Sequence, residues 1–283
     1  MKHISHNKIA SPPPLAGQDS LSPFAQALRA HFPSREEILR EARQQTQRQR
    51  GLKKVAAGVA MCLLFAMSWY MDPVLQRESL QTAVGQQASF DLKDGSQVTL
   101  NTNSMLVVEQ HVYSRQLRLQ QGEALFSVKH AWRPFTVYAY HTEIRDIGTI
   151  FNVRNTAQGA DVTVVKGMVE VVTAAATQRL TCNQTVSSGE GRLSLPREVS
   201  AEAATAWQQG RLMFDATPLN EVIAELQRYR AGQIVIKDKR IGQYPLSGEY
   251  DIRGIDALID VLPDILPVHV EHRADQSVEI RHR

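Results

Sequence analysis

The sequence predicts a single-pass membrane protein with four parts: a short helical segment, one transmembrane helix, an all-β domain and a small α+β module. Three observations carry this prediction. Residues 55–71 are uncharged, residues 77–195 alternate short apolar runs with turn residues, and residues 208–283 alternate strand patterns with two helical patterns. A chain of 283 residues is long enough for two folded domains of this kind.

The first part, residues 1–54, is basic, with ten Lys/Arg against four Asp/Glu. It opens on a Pro-rich tail, and Ser34 with Glu37 forms a capping box that predicts a helix start. Apolar residues at helical spacing lie on both sides of this start: Phe24, Leu28, Phe32, Ile38 and Leu39. Because two such helices have too little apolar surface to fold firmly alone, we expect them to fold on a partner.

The uncharged stretch VAAGVAMCLLFAMSWYM, residues 55–71, predicts the transmembrane helix. Its ends carry membrane anchors: Lys53 and Lys54 before it, Trp69 and Tyr70 at its close. A buried globular helix is one alternative, but the stretch lacks a polar stripe. A secretory signal is another, but 54 residues precede the stretch and no small-x-small cleavage site follows it.

The flanking basic residues predict the orientation of this helix. Six Lys/Arg lie within the fifteen residues before it, and Arg77 alone lies within the fifteen residues after it. By the positive-inside rule the N-terminus is cytoplasmic and residues 72–283 lie outside, which in a bacterium means the periplasm. Cys62 and Cys182 then lie in different surroundings, and we expect no disulfide between them.

Residues 77–195 predict an all-β sandwich or barrel, because short strands alternate with turn residues. Three stretches show this pattern around a glycine: FDLKDGSQVTLN around Asp94-Gly95, RQLRLQQGEALFSVKH around Gly122, and DVTVVKGMVEVV around Lys166-Gly167. Asp-Gly favours a type I′ hairpin turn. We therefore expect a hairpin at Asp94-Gly95 and interpret the other two stretches in the same way.

Residues 208–283 predict a small α+β module of β-α-β units. Strand RLMFDA precedes a helix with Thr217 as N-cap, Pro218 at the first position and Gly232 at the close. Strand QIVIK, a second helix and the hairpin PVHVEHRADQSVEIRHR follow. Either QIVIK or the terminal SVEIRHR can offer a free sheet edge to a partner strand; an edge capped within the chain is the open alternative.

The sequence contains no familiar catalytic or metal-binding pattern. GxSxG, HExxH, a phosphate-cradling glycine loop and paired Cys/His zinc spacing do not occur. His269 and His272 lie on opposite faces of a predicted strand, so a shared metal is not expected. The basic run RQQTQRQRGLKK is explained by topology and anionic lipid rather than by nucleic acid. We expect no enzyme activity, cofactor, metal or direct nucleic-acid partner.

The stretch IRDIGTIFNV, residues 144–153, looks like a buried strand interrupted by Gly148 and Thr149. One interpretation is packing, since a glycine inside a strand marks a bulge, a bend or a close backbone approach. The other is self-cleavage, in which the Thr149 hydroxyl attacks a Gly148 carbonyl that is held off its planar minimum. The residues alone leave both interpretations open.

An ordered series of motifs over residues 77–283 resembles the FecR-like transmembrane regulators, anti-sigma factors of bacterial cell-surface signalling. The series is LKDGSQVTLNTNS, RQLRLQQGEALFSV, RPFTVYA, IRDIGTIFNV, VTVVKGMVEV, WQQGRLMFDATPLNEVIAELQRY and LSGEYD. The resemblance implies a periplasmic FecR-like β domain followed by a module like the short N-terminal domain of secretins and TonB-dependent receptors. Some family members are cleaved at a corresponding Gly-Thr bond, so the resemblance gives the self-cleavage interpretation more weight, while packing remains the leading interpretation.

The resemblance also implies partners. A TonB-dependent outer-membrane receptor for siderophore or haem contacts the periplasmic part, envelope and intramembrane proteases act in steps, and residues 1–54 bind an extracytoplasmic-function (ECF) sigma factor. Family members usually carry a longer, tryptophan-bearing helical domain there, whereas this chain has no Trp before Trp69. We therefore expect a shortened helical clamp over residues 22–50.

Two other classes of function compete. A membrane-anchored periplasmic binding protein or envelope enzyme would need a site that the sequence does not display. A membrane-tethered DNA-binding regulator would need a helix-turn-helix for which residues 1–54 are too short.

Overall fold

The computed structural model describes Ala27 and residues 35–283, and within residues 35–283 a long helix precedes all the strands. Helix α1 spans Arg35–Met71, with Glu36 and Glu37 in its first turn, where carboxylates complement the helix dipole. The helix ends directly before Asp72 and Pro73, at the predicted stop. The predicted N-cap, Ser34, lies outside the described residues.

The second half of α1 is long and apolar enough to cross a membrane. This part is the 22-residue stretch Arg50–Met71, and none of its most apolar 18 residues is buried inside the protein. At a rise of 1.5 Å per residue it is about 33 Å long, close to a hydrocarbon core of about 30 Å. The stretch Arg50–Met71 contains the predicted span, residues 55–71, together with basic residues that precede it. Because its apolar side chains are exposed, the helix does not match the buried globular alternative.

The chain divides between Tyr70 and Met71 into two compact units. The second unit begins with fourteen strands: β1 (Val74–Gln81), β2 (Ala88–Asp91), β3 (Gln97–Leu100), β4 (Met105–His111), β5 (Arg115–Ser127), β6 (Phe135–Ala139), β7 (Thr142–Asp146), β8 (Ile150–Thr156), β9 (Gly159–Lys166), β10 (Met168–Val172), β11 (Thr177–Thr181), β12 (Gln184–Gly189), β13 (Arg192–Leu193) and β14 (Arg197–Glu198).

These strands form two sheets that share β5. The first sheet has the order β1-β4-β5-β6-β7-β10-β11, and the second has the order β2-β3-β5-β8-β9-β12, with β13 and β14 beside β12. All pairs are antiparallel except β5 with β6. The inward side chains of both sheets build one apolar core. Its largest aromatic members are Phe126, Phe135 and Phe151, with Phe126 stacked on Phe151 at 5.1 Å between ring centroids.

One of the three predicted hairpins is present, and the other two are not. The β2–β3 pair is a hairpin, but residues 92–96 connect it, so the connection is longer than a two-residue type I′ turn. The stretch around Gly122 is not a hairpin: it is the continuous strand β5, which leaves the first sheet and enters the second at Gly122. The stretch around Gly167 connects β9 to β10, which lie in different sheets and do not pair. The local turn signal does not distinguish a hairpin from a crossing between sheets.

The predicted α+β module follows a short helix α2 (Ala201–Thr205), and Ser200 caps that helix by accepting from Ala203 N–H. The module contains β15 (Arg211–Pro218), α3 (Leu219–Gln227), β16 (Ile234–Ile236), β17 (Pro245–Asp251), α4 (Ile255–Ile265), β18 (Val268–His272) and β19 (Val278–His282). β15 pairs with β17, and β16, β19 and β18 form a second small sheet in that order. Helices α3 and α4 bury their regularly spaced apolar residues in one module core, which is separate from the core of the β domain.

Two details of the first module helix differ from the prediction. The residue at its N-cap is Pro218 rather than Thr217, because β15 continues through Pro218. The helix ends at Gln227, so Gly232 does not close it. Gly232 instead approaches the Gln276 carbonyl, where a Cβ would lie 2.2 Å from the oxygen. The glycine is a packing position between two loops.

Candidate functional site

A cluster of charged and amide side chains joins the β domain to the C-terminal module. At its centre is Glu123, on β5, whose Oε2 lies 2.6 Å from Nη2 of Arg228, directly after α3. Arg228 Nη1 lies 2.5 Å from Glu225 Oε1 on α3. The Glu123 side chain is 6% exposed and that of Arg228 17%. We call this group of residues, with Asn101, Asn152, Arg154 and Tyr229, the junction cluster.

Amide donors complete the shell of the Glu123 carboxylate. Asn101 Nδ2 donates to Oε2 at 2.8 Å, and Asn152 Nδ2 donates to Oε1 at 2.7 Å. Burial alone would raise the pKa of Glu123, but the positive charges of Arg228 and Arg154 and the Asn152 hydrogen bond hold it below the ordinary value. The carboxylate is therefore ionised at neutral pH in spite of its burial.

The partner groups of Glu123 titrate outside the physiological range. Burial would lower the pKa of Arg228, but the carboxylates of Glu123 and Glu225 raise it. Burial, together with Glu225, raises the pKa of Tyr229. Glu123, Arg228 and Tyr229 thus keep fixed charge states at neutral pH, which suits a contact that holds two domains together rather than one that transfers protons.

Further hydrogen bonds join the two domains around the junction cluster. Arg154 on β8 contacts Glu225 at 2.7 Å between Nη1 and Oε2, and the Thr102 hydroxyl donates to the Arg228 carbonyl at 3.0 Å. The Gln87 amide donates to the carbonyl of buried Trp207 at 3.0 Å. These contacts reach the module at α3 and at the short turn before β15.

A cleft of about 470 Å³ lies beside the junction cluster, lined from both domains by residues that include Arg154, Asp161, Trp207 and Phe214. Trp207 Nε1 and Asn152 Oδ1 are buried without a hydrogen-bond partner among the described residues. The part of the chain that the structure describes holds no cluster of three or more His, Cys, Asp or Glu residues suited to a metal ion.

Sequence reasoning missed the junction cluster because its members come from distant segments of the chain. Glu123 and Arg228 are separated by 105 positions. A weak signal was present: Glu123 directly precedes the apolar run Ala124–Phe126 on a predicted strand, and the sequence RYR follows the last apolar turn of α3. Neither feature by itself indicates a buried ion pair.

Gly148 and Thr149 do not lie in the middle of one strand. The predicted strand is two strands, because β7 ends at Asp146 in the first sheet and β8 begins at Ile150 in the second. Gly148 has a φ of +94°, which only glycine adopts readily, and its backbone is exposed whereas Thr149 is buried. Asp146 accepts hydrogen bonds from Gly148 N–H at 2.9 Å and from the Thr149 hydroxyl.

The predicted sigma-factor and membrane residues lie on α1 or outside the described residues. Phe24, Leu28 and Phe32 fall outside them. Ile38 and Leu39 are described and are 53% and 48% exposed. Lys53, Lys54, Trp69 and Tyr70 are also exposed on α1, and their role as membrane anchors stays a prediction.

One of the two predicted free edges is wrong. The terminal strand β19, within SVEIRHR, is central in its sheet and pairs with β16 on one side and β18 on the other. The QIVIK strand, β16, lies at an edge of that sheet. Sequence periodicity does not reveal which strand of a small sheet is central, because the order depends on partners distant in the chain.

Comparisons with known proteins agree with this architecture. A family model described as FecR protein matches residues 78–170, and one described as FecR, C-terminal, matches residues 211–280. No relative was found among curated proteins. A crystal structure at 2.50 Å of a protein from Parabacteroides distasonis ATCC 8503, assigned as an anti-sigma factor, has a TM-score of 0.65 and 24% identity, and the match covers 74% of this chain and 100% of that chain. A 1.65 Å structure with the same assignment has the same TM-score and identity, with 73% and 99% covered.

Proposed function

Since this chain belongs to the FecR family of regulators, with a FecR domain and a FecR C-terminal domain after one apolar helix, we propose that it regulates a sigma factor from the membrane. It spans the inner membrane once, with the N-terminus in the cytoplasm and residues 72–283 in the periplasm. The excess of basic residues before the span supports this orientation. As an alternative, a membrane-anchored periplasmic binding protein or envelope enzyme would make no sigma-factor contact.

The observation that carries the signalling proposal is the junction cluster. A contact made on the C-terminal module reaches the β domain through the buried pair of Glu123 and Arg228 and through Arg154 with Glu225. A buried ion pair is stable only when its two side chains keep their geometry. A partner that moves the module therefore also displaces the β domain or breaks the pair. The signal then has a physical route from the module toward the membrane-proximal domain.

The proposed input is the signalling domain of a TonB-dependent outer-membrane receptor, loaded with siderophore or haem, and the module is its proposed binding site. Strand β16 lies at a sheet edge, where an extended segment of the receptor can add as a strand. Deleting residues 208–283 should abolish the response to the receptor while the protein stays in the membrane. Val235→Asp on β16 should do the same, whereas His269→Asp, at an exposed position on the opposite edge strand β18, should respond normally.

The proposed output is control of an ECF sigma factor by residues 22–50. Ile38 and Leu39 are exposed on α1, and they are apolar groups that a partner can cover. The Ile38→Ser/Leu39→Ser double variant should lose the sigma factor in a pull-down from membranes, whereas Glu41→Ser on the same helix should retain it. Unchanged capture by the double variant would contradict this assignment and favour the alternative without sigma-factor contact.

We also propose that the periplasmic part cuts itself between Gly148 and Thr149, before envelope and intramembrane proteases act. The observation that favours this second activity is the exposed, positive-φ turn that places Thr149 directly after Gly148. Intact-mass spectrometry of the full chain should find fragments that end at Gly148 and begin at Thr149. Thr149→Ala should stay whole and Thr149→Ser should still cut. A wild-type chain that stays whole for days would refute self-cleavage.

A further inference from the structure

We propose that Asp146 is the catalytic base of cleavage at Gly148-Thr149, an inference that rests on the self-cleavage proposed above. The Asp146 carboxylate contacts both sides of the bond that breaks. Its Oδ2 accepts Gly148 N–H at 2.9 Å, and its Oδ1 accepts the Thr149 hydroxyl. A carboxylate that accepts a hydrogen bond from the hydroxyl is placed to take the hydroxyl proton as the oxygen attacks. This is the role of a general base.

The peptide between Gly148 and Thr149 is held from other sides as well. A Cβ added to Gly167, which connects β9 to β10, would lie 2.7 Å from the Gly148 carbonyl oxygen and 2.8 Å from Thr149 Cγ2. Val128 N–H donates to the Thr149 carbonyl at 3.0 Å. Asp146, Gly167 and Val128 therefore restrict the movement of the peptide, and such positioning lowers the barrier to an intramolecular attack.

The chain crosses between the two sheets twice near the Gly148–Thr149 peptide, and these crossings bring Asp146 and Gly167 beside it. The chain passes from the first sheet to the second at Gly148, and back again at Gly167. Asp146 is the last residue of β7, and its backbone is held in the sheet by pairing with Val169 on β10. The base is positioned by a strand rather than by a free loop.

Thr149 Oγ1 attacks the Gly148 carbonyl carbon while Asp146 takes the hydroxyl proton. The C–N bond between the two residues breaks, Asp146 returns the proton to the Thr149 nitrogen, and an ester joins Gly148 to the Thr149 side chain. Water then hydrolyses the ester, leaving a Gly148 carboxyl group and the Thr149 hydroxyl. Gly148 is exposed, so water can reach the ester carbonyl.

The test follows cleavage of the full chain, made by cell-free synthesis into detergent micelles and sampled from minutes to days by intact mass. The variants are Asp146→Asn, Asp146→Glu and Glu143→Gln. Glu143 lies on the same strand and is the matched control, because its carboxylate pairs with Arg145 at 2.8 Å. Denaturant midpoints by fluorescence show whether each variant is folded. Hydroxylamine, which cleaves esters, reports whether the ester forms.

We expect Asp146→Asn to slow cleavage at least about 100-fold, the usual contribution of a general base, without response to hydroxylamine. Glu143→Gln should cut at the wild-type rate, and Asp146→Glu, which keeps a carboxylate, should recover part of it. If wild type cuts and folded Asp146→Asn cuts within about threefold of it, the role of Asp146 is refuted while self-cleavage stands. Should Asp146→Asn fail to fold, a folded Asp146→Glu that cuts no faster than Thr149→Ala overturns the proposal. A wild-type chain that never cuts overturns both.

Discussion

Replacing the buried pair of Glu123 and Arg228 tests whether the junction cluster holds the two domains together. We consider Glu123→Gln, Arg228→Met and the double variant. Each single change removes one charge and leaves its partner buried, whereas the double change removes both charges. The difference between the double variant and the sum of the single variants gives the coupling free energy.

The structure sets the expected magnitudes. Breaking a buried ion pair by removing one partner costs about 3–5 kcal/mol, and both side chains are buried enough for this range to apply. Glu123→Gln should lie near the lower end, because Arg228 keeps Glu225 as a partner at 2.5 Å. Arg228→Met should cost more, because it leaves the Glu123 carboxylate with amide donors alone in direct contact. We expect a coupling free energy of about 2 kcal/mol or more between the two sites.

Trp207 is a natural reporter for this assay, because it lies at the junction and is 3% exposed. The chain has three tryptophans, and changing Trp69 and Trp132 to Phe leaves Trp207 as the sole indole. Urea titration of the full chain in detergent micelles, followed by Trp207 emission, then measures the free energy of opening the junction. A coupling free energy below about 0.5 kcal/mol would refute the proposed role of the Glu123–Arg228 pair, because exposed ion pairs have coupling free energies of this size.

An exposed ion pair provides the matched control. Arg240 and Asp238 lie 2.9 Å apart, but the Arg240 side chain is 84% exposed. Arg240→Met should therefore leave the free energy of opening close to the wild-type value, because solvent screens an exposed ion pair. If this variant costs as much as Arg228→Met, the measured loss does not report on burial of the pair.

Three further predictions concern pH, core packing and capping. Burial would raise the pKa of Glu123, but Arg228 and Arg154 hold it below its ordinary 4.5. The stabilisation by Glu123 is therefore complete above about pH 4.5 and should be lost as pH falls through the lower pKa of the folded state. Glu123→Gln should lack this loss in the same urea assay. Phe151→Ala should cost about 3–5 kcal/mol of unfolding free energy in chemical denaturation, because the ring is fully buried and stacked on Phe126. Ser200→Ala should cost about 1 kcal/mol, measured by thermal unfolding, because the side chain caps α2.

Much of the fold follows from local patterns. Leu219, Val222, Ile223 and Leu226 recur at helical spacing in the sequence, and all four are buried on α3. The second module helix behaves in the same way. The helix end before Asp72 and the paired strands of PVHVEHRADQSVEIRHR were also predicted. In each case the pattern lies within one segment, or within two segments joined by a short turn.

The candidate sites were less predictable. The motif IRDIGTIFNV drew attention to Gly148 and Thr149, but the contact of Asp146 with both depends on the end of β7 and the turn after it. Glu123 and Arg228 carried no distinctive spacing at all. A buried ion pair is visible only when two distant segments are placed side by side.

The sequence by itself determined the apolar span, the two amphipathic helices and the strand-rich character of residues 77–195, because hydrophobic period is a local property. Tertiary structure decided where the strands go. Gly122 and Gly167 look like hairpin glycines in the sequence, yet one lies within β5 and the other connects two sheets. The physical reason is that a glycine permits several backbone directions, and packing of both sheets on one core selects among them.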